Sequence, residues 1–212
     1  MLWHRPEHKR KRRKKAANVT GAILAGGNSS RMGRDKALLP WHGKPLISHA
    51  ADTLRALFDD VYICGGTPDR YEFLGLPFLP DLVPESGPLG GIHAALSHCA
   101  PASVCILSCD MPLVSRSLIE YILQFPSSAP ITVAAVDGRL QPLCGVYHTS
   151  CLPVITQELE HRRLKLMDLF ARVNGTAVPI GPDLPLYDER LMMNVNDEQA
   201  YRQLTAWDSP DR

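Results

Sequence analysis

Residues Gly21 to Lys36 read GAILAGGNSSRMGRDK, and their types and spacing suit the holding of phosphates. Apolar Ala22, Ile23 and Leu24 lead into Gly26 and Gly27, then into polar Asn28, Ser29 and Ser30, and on to Arg31, Gly33 and Lys36. Glycines let the backbone approach an anion closely and adopt positive φ, so that several N–H groups converge on one cluster of oxygens. Arg31 offers phosphate a planar fork, and Lys36 a movable point charge. The chain lacks G-x-x-x-x-G-K-[ST] and G-x-G-x-x-G here, which excludes a Walker-type site and a dinucleotide fingerprint. What stands in their place is L-A-G-G-x-S-x-R-M-G-x-x-K, a loop expected to hold a nucleoside triphosphate.

Two further stretches carry chemistry. In CILSCDMP an apolar run with Val104, Ile106 and Leu107 ends in Asp110, and Pro112 stops the strand soon after. A carboxylate at the carboxyl edge of a strand lies where open α/β sheets bind ligands. A single such carboxylate suits Mg²⁺, which takes one or two protein oxygens together with substrate phosphates and water. The alternative, a cap for the helix starting near Ser115, places Asp110 five residues too early. The third stretch, DLVPESGPLGG from Asp81 to Gly91, is a stiff glycine- and proline-rich loop. Its backbone can lie against a flat base or ribose, with Asp81 accepting from nucleotide donors.

Positioning these residues requires alternating strands and helices. Strands are expected at Val19–Ala25, Asp60–Cys64, Pro77–Pro80, Ser103–Cys109, Ile131–Val136, Pro142–Tyr147 and Ala177–Ile180, with Asp137-Gly138 as a hairpin turn. Helices are expected at Pro45–Phe58, Pro88–Cys99, Ser115–Phe125 (Ser115 as N-cap), Ser150–Glu160 and Leu164–Val173. A last helix follows Asn196, which can cap it with Gln199 three positions on. The alternation implies βαβ units, hence an α/β fold: three layers, Rossmann-like, a mostly parallel sheet with helices on both faces.

The chain has 212 residues, enough for one sizeable core and at most one and a half domains. Its charge is unevenly placed. Residues 1–17 contain eight of the 23 Lys and Arg (Arg5 and 9–15) and one of the 22 acids, leaving 15 bases against 21 acids, about −6, in the body. That balance argues against a nucleic-acid-binding domain. The tail has no apolar periodicity and no apolar signal core. It is expected to be disordered, a solvated extension before the first strand, with a polyanion-binding arm as the alternative. The body, residues 18–208, is expected to be one domain.

The six cysteines contain no C-x-x-C pair and fall in apolar runs, usage that fits buried thiols in a reducing cytoplasm. No apolar run is long enough to span a bilayer. The histidines show no metal-ligand spacing; His93 and His98 are five apart on a helix, and His49 is expected half-exposed. Arg162, Arg163 and Lys165 form a basic cluster read as a solvated helix end that could also meet an anionic acceptor. Gln141 and Pro142 are open to the same two readings, lining an acceptor site or starting a strand.

LAGG-x-S-x-R-MG-x-x-K, GPLGG, the CDMP box and the terminal N-V-N (Asn194 to Asn196) occur in the order found in the molybdenum cofactor guanylyltransferase family, MobA. The chain resembles that family over about residues 19 to 205. The resemblance implies a fold like that of nucleotide-diphospho-sugar transferases. It also implies transfer of GMP from Mg·GTP to the terminal phosphate of Mo-molybdopterin, with release of pyrophosphate. By that pattern Leu24, Ala25, Gly26 and Gly27 line the nucleotide, and Lys36 contacts its phosphates. Asp81 and Gly90 belong to the GTP side, Asp110 binds nucleotide and Mg²⁺, and Arg31 joins Lys36 and Asp110 in stabilising charge. Asn194 and Asn196 fall on the pterin side, so the N-terminal half would take GTP and the C-terminal half molybdopterin. Other molybdenum-cofactor biosynthesis proteins or molybdoenzymes are the implied partners.

This sequence departs from the family at three places. Many members carry one more residue between Met-Gly and Lys; others have Asn where this chain has Cys64-Gly65-Gly66; and the basic tail is outside the pattern. Relatives using CTP tend to carry LAAG, so Gly26 favours guanine over the alternative of a cytidylyltransferase. A non-catalytic nucleotide binder or adaptor is the alternative of another class, and the metal carboxylate Asp110 argues against it.

Overall fold

The computed structural model describes residues 18–26, 35–99 and 102–207. The expected tail at 1–17, and Gly27 and Arg31, lie outside the described residues.

The first strand, β1 (Val19–Leu24), is followed by a two-stranded hairpin, β2 (Pro40–Trp41) and β3 (Lys44–Pro45). Then come α1 (Leu46–Arg55), β4 (Val61–Cys64), β5 (Phe78–Leu79), α2 (Gly87–His98), β6 (Ser103–Ser108) and α3 (Arg116–Gln124). The second half holds β7 (Ile131–Val136), β8 (Arg139–His148), α4 (Leu152–Glu160), α5 (Leu166–Arg172), β9 (Thr176–Ile180) and α6 (Glu198–Ala206). Seven strands form one sheet in the order β5-β4-β1-β6-β8-β7-β9. β8 is antiparallel to both its neighbours, and the remaining pairs are parallel.

Successive residues of β1 point to opposite faces, and each face has its own core. Ile23 packs with Ile47, Leu54, Phe58, Leu118 and Ile122 of the α1 and α3 side. Ala22 and Leu24 pack with Leu89, Ile92, Ile155, Leu159 and Leu169 of the α2, α4 and α5 side. Both faces of the central strands are buried, which is why they read as continuous apolar runs. The three-layer α/β expectation therefore holds.

The expected elements are present with shifted ends, and two differences have clear causes. β8 starts at Arg139, three residues before the expected Pro142, because the Asp137-Gly138 turn (φ 50° and 72°) pairs Val136 with Arg139 at once. The ladder then jumps from Gln141 opposite Ala134 to Gly145 opposite Val133. Pro142 sits within that irregularity, where β7 asks for no N–H donor. The second correction concerns α6: its cap is Asp197, which accepts from the Ala200 N–H at 2.8 Å, and not Asn196. Ser115 caps α3 as expected, accepting from the Leu118 N–H at 3.2 Å.

All six cysteines are free and buried. Among the described residues no helix is long and apolar enough to cross a membrane.

Candidate active site

Sheet register brings the separated motifs together. Leu24, the last residue of β1, stands opposite Cys64 on one side and Ser108 on the other, so three strands end in one row. β1 leads through β4 to β5 in one direction, while β6 lies on its other flank, so the chain reverses direction beside β1. Ligands of open α/β sheets bind at such a reversal, outside the strands' carboxyl ends. A cleft of about 900 Å³ opens there.

Seven of the sequence-derived candidates line this cleft: Leu24, Gly26, Lys36, Asp81, Asp110, Asn194 and Asn196. Ala25 is buried, and its carbonyl accepts from the Tyr71 hydroxyl at 3.2 Å, away from the lining. Gly90 stands behind Asp81: a Cβ there would come within 3.2 Å of Asp81 Oδ2 and 3.0 Å of Ser86 Cβ. Its neighbour Gly91 does line the cleft, and a Cβ on it would press within 2.9 Å of Leu24 Cδ2. The absence of side chains at Gly90 and Gly91 thus lets α2 sit tight against the end of β1 with Asp81 beside it.

At the floor lies Asp110, 6 % exposed. Its Oδ1 accepts from Ser108 Oγ at 2.5 Å, and its Oδ2 is ion-paired with Lys36 Nζ. Lys36 Nζ also donates to Asn196 Oδ1 at 2.8 Å, and the Val195 N–H donates to the Asp110 carbonyl at 2.9 Å. Residues 36, 110 and 196, far apart in sequence, thus form one charged network. Asn194 is turned back on its own segment, donating to the Met192 carbonyl at 3.0 Å. Val195 is buried with Leu39, Leu46 and Leu204, which anchors the N-V-N stretch over the cleft.

Asp81 differs from Asp110. Its Oδ1 is buried without a hydrogen-bond partner, and desolvation raises its pKa. A carboxylate oxygen left unsatisfied beside a cleft is poised to accept from a ligand's N–H. Cys64 also lines the cleft, but burial pushes its thiol up to about 12, so it is a neutral wall and no nucleophile.

The basic cluster is largely committed elsewhere. Arg162 donates to the Pro84 and Glu85 carbonyls at 3.2 and 3.0 Å, and Arg163 pairs with Glu158. Leu164, between them and Lys165, reaches the cleft, as does Leu143, while Gln141 and Pro142 are outside the lining. Sequence reasoning missed Ser108, whose signal is a hydroxyl two positions before the carboxylate, and the Gly65-Gly66 exit of β4. His93 is buried beside Thr156 Oγ1 at 3.2 Å, and His49 meets the Trp41 carbonyl at 3.0 Å. Neither faces the cleft.

The sequence profile of the MobA-like NTP transferase domain matches residues 21–176. The chain belongs to the MobA-like NTP transferase family. This MobA-like chain is 36 % identical over 189 residues to a protein of Carboxydothermus hydrogenoformans named probable molybdenum cofactor guanylyltransferase, covering 88 % of this chain and 95 % of the relative. A Flavobacterium johnsoniae protein of the same name is 40 % identical over 156 residues, covering 73 % and 82 %. A crystal structure of an Aquifex aeolicus protein superposes with TM-score 0.73 at 30 % identity, covering 85 % of this chain and 94 % of that one. Molybdopterin-guanine dinucleotide biosynthesis protein A of Archaeoglobus fulgidus shares the fold, with TM-score 0.76 at 23 % identity and coverage of 89 % and 97 %. The MobA-like chain is thus a nucleotidyltransferase on the nucleotide-diphospho-sugar transferase fold.

Proposed function

We propose that this transferase moves GMP from GTP to the terminal phosphate of Mo-molybdopterin, forming the guanine dinucleotide cofactor and pyrophosphate. The observation that carries the reading is the Lys36–Asp110–Asn196 network on the cleft floor, next to the unpartnered Asp81 oxygen. A phosphate oxygen of the acceptor attacks the α-phosphorus, and the bond from that phosphorus to the oxygen bridging the α- and β-phosphates breaks. The nucleophile is already an anion near neutral pH, so no general base is needed. The difficulty lies in joining two polyanions, and positioning with fixed charge relieves it.

In this reading Lys36 meets the nucleotide phosphates, with Arg31 and the Gly27 backbone as further contacts from the loop. Leu24, Ala25, Gly26 and Gly90 shape the nucleotide's seat, and Asp81 accepts from the donor edge of the guanine. Asn194 and Asn196 lie toward the acceptor, so residues 18–208 act as one domain with a nucleotide half and a pterin half. Asp110 fits a divalent cation: it is a buried carboxylate with one oxygen held by Ser108 and the other paired with the flexible ammonium of Lys36. Among the described residues no group of three or more His, Cys, Asp or Glu gathers as a metal site. One carboxylate is what Mg²⁺ needs when substrate phosphates complete its shell. Bound there, Mg²⁺ would neutralise phosphate charge.

The test is mass spectrometry of molybdopterin incubated with Mg·GTP, where the pterin is expected to gain one GMP. Lys36→Ala and Asp110→Ala are each expected to slow this by about a hundred- to a thousandfold, or ~3–4 kcal/mol, with unchanged circular dichroism. Wild-type turnover by either variant overturns the assignment.

A further inference from the structure

Lys36 can serve the nucleotide only if its backbone is held in one place, and the residues that hold it form a second network behind the cleft. Lys36 opens a single 3-10 turn, Lys36–Leu38, with Ala37 and Leu39 buried beneath it. Asp35 caps this turn, its Oδ1 accepting from the Ala37 N–H at 3.0 Å. The other oxygen, Oδ2, accepts from the Tyr71 hydroxyl at 2.9 Å and from Arg70 Nη1 at 3.1 Å. The Tyr71 hydroxyl also lies 3.2 Å from the carbonyl of Ala25, the residue after β1. Both neighbours are acceptors, so the one phenolic proton is shared between the end of β1 and the cap of the Lys36 turn.

Tyr71 is well built for this task. It is 2 % exposed, and burial with the adjacent Asp35 raises its pKa, so the phenol stays a donor. Its ring lies against Gly66 (φ 80°), where a Cβ would come within 3.1 Å of Tyr71 Cε2 and 3.3 Å of the Ala25 carbonyl. The glycine exit of β4 is thus the space the ring fills.

We infer that Tyr71 is a positioning residue: its hydroxyl ties Asp35 to the end of β1, and so sets where Lys36 stands against Asp110. The inference rests on the proposed role of Lys36 toward nucleotide phosphates and adds a residue that touches neither substrate. Tyr71→Phe removes only the hydroxyl and keeps the ring on Gly66. Displacing a group that acts at the chemistry through its support costs between about tenfold and a hundredfold.

The experiment is a double-mutant cycle on turnover, with melting temperatures and GTP affinity measured in parallel. In the wild-type background Tyr71→Phe is expected to lower turnover by about tenfold to a hundredfold. In the Lys36→Ala background the same change is expected to cost at most about twofold, because the group it positions is gone. Asp35→Asn, which keeps an acceptor for the Ala37 N–H, is expected to follow the same pattern and replaces Tyr71→Phe should that variant fold poorly. Equal losses in both backgrounds, or no loss in the wild type, overturn the inference. Wild-type turnover by Lys36→Ala alone instead overturns the role of Lys36, and the inference with it.

Discussion

Asp81 holds one carboxylate oxygen out of water without a partner, and its pKa is raised above the ordinary 3.8 by desolvation. The folded protein therefore binds this proton more tightly than the unfolded chain. Its contribution to stability is greatest at low pH and declines as pH rises from 3.8 through the folded pKa. Asp81→Asn removes the charge that is costly to bury, so its melting temperature is expected to exceed the wild type's at pH 7 and to converge with it in acid. If Asp81 accepts from the nucleotide, the same variant binds GTP about ten- to a hundredfold more weakly, as expected for lost charge-assisted hydrogen bonds. A calorimetric titration and a pH series of thermal melts check both halves. Unchanged GTP affinity removes Asp81 from the nucleotide site. At this scale the sequence was informative about which side chains meet in the cleft, as with Lys36 and Asp110. It was silent on Ser108 and Tyr71, whose roles depend on neighbours from other elements.

At the scale of elements, α4 and α5 are joined by a buried carboxylate. The Glu158 side chain is 1 % exposed and meets Arg163 at 2.7 Å and Arg172 at 3.3 Å. The Arg163 hydrogen bonds hold its pKa below the ordinary 4.5 despite burial. Its stabilising contribution is full above that value and is lost as pH falls through the folded pKa. Because both guanidinium partners are nearly half exposed, solvent screens the pair. Glu158→Gln is accordingly expected to cost about 1–2 kcal/mol at pH 7, with the difference from wild type shrinking in acid. Denaturant melts at pH 7 and in acid would show this, and an equal cost at both pH values would contradict it. The end of the chain shows why element boundaries were only partly legible. Asn196 and Asp197 are both good caps, and local pattern favours Asn196 through Gln199. What decides is Lys36, which takes Asn196 Oδ1 from 160 residues away, leaving Asp197 to cap α6. Likewise, Pro142 read alone marks a strand start, whereas β8 runs through it because the register breaks at that point.

For the whole molecule, alternation of apolar runs and amphipathic stretches was enough to specify a covered, mostly parallel sheet. Strand order was not legible, because it depends on which edges pair after the chain folds. That order places β1 between β4 and β6 and sets Leu24, Cys64 and Ser108 in one row. The row makes one cleft of motifs lying between residues 24 and 196 of the sequence. If, as we propose, this cleft transfers guanylate to a pterin phosphate, a single assay shows it. Purified protein is given Mg²⁺, molybdopterin and each nucleoside triphosphate in turn, and pyrophosphate is followed. The proposed activity predicts release with GTP alone and only when the pterin is present. Release with CTP in place of GTP, or none with any nucleotide while GTP still binds, would contradict it.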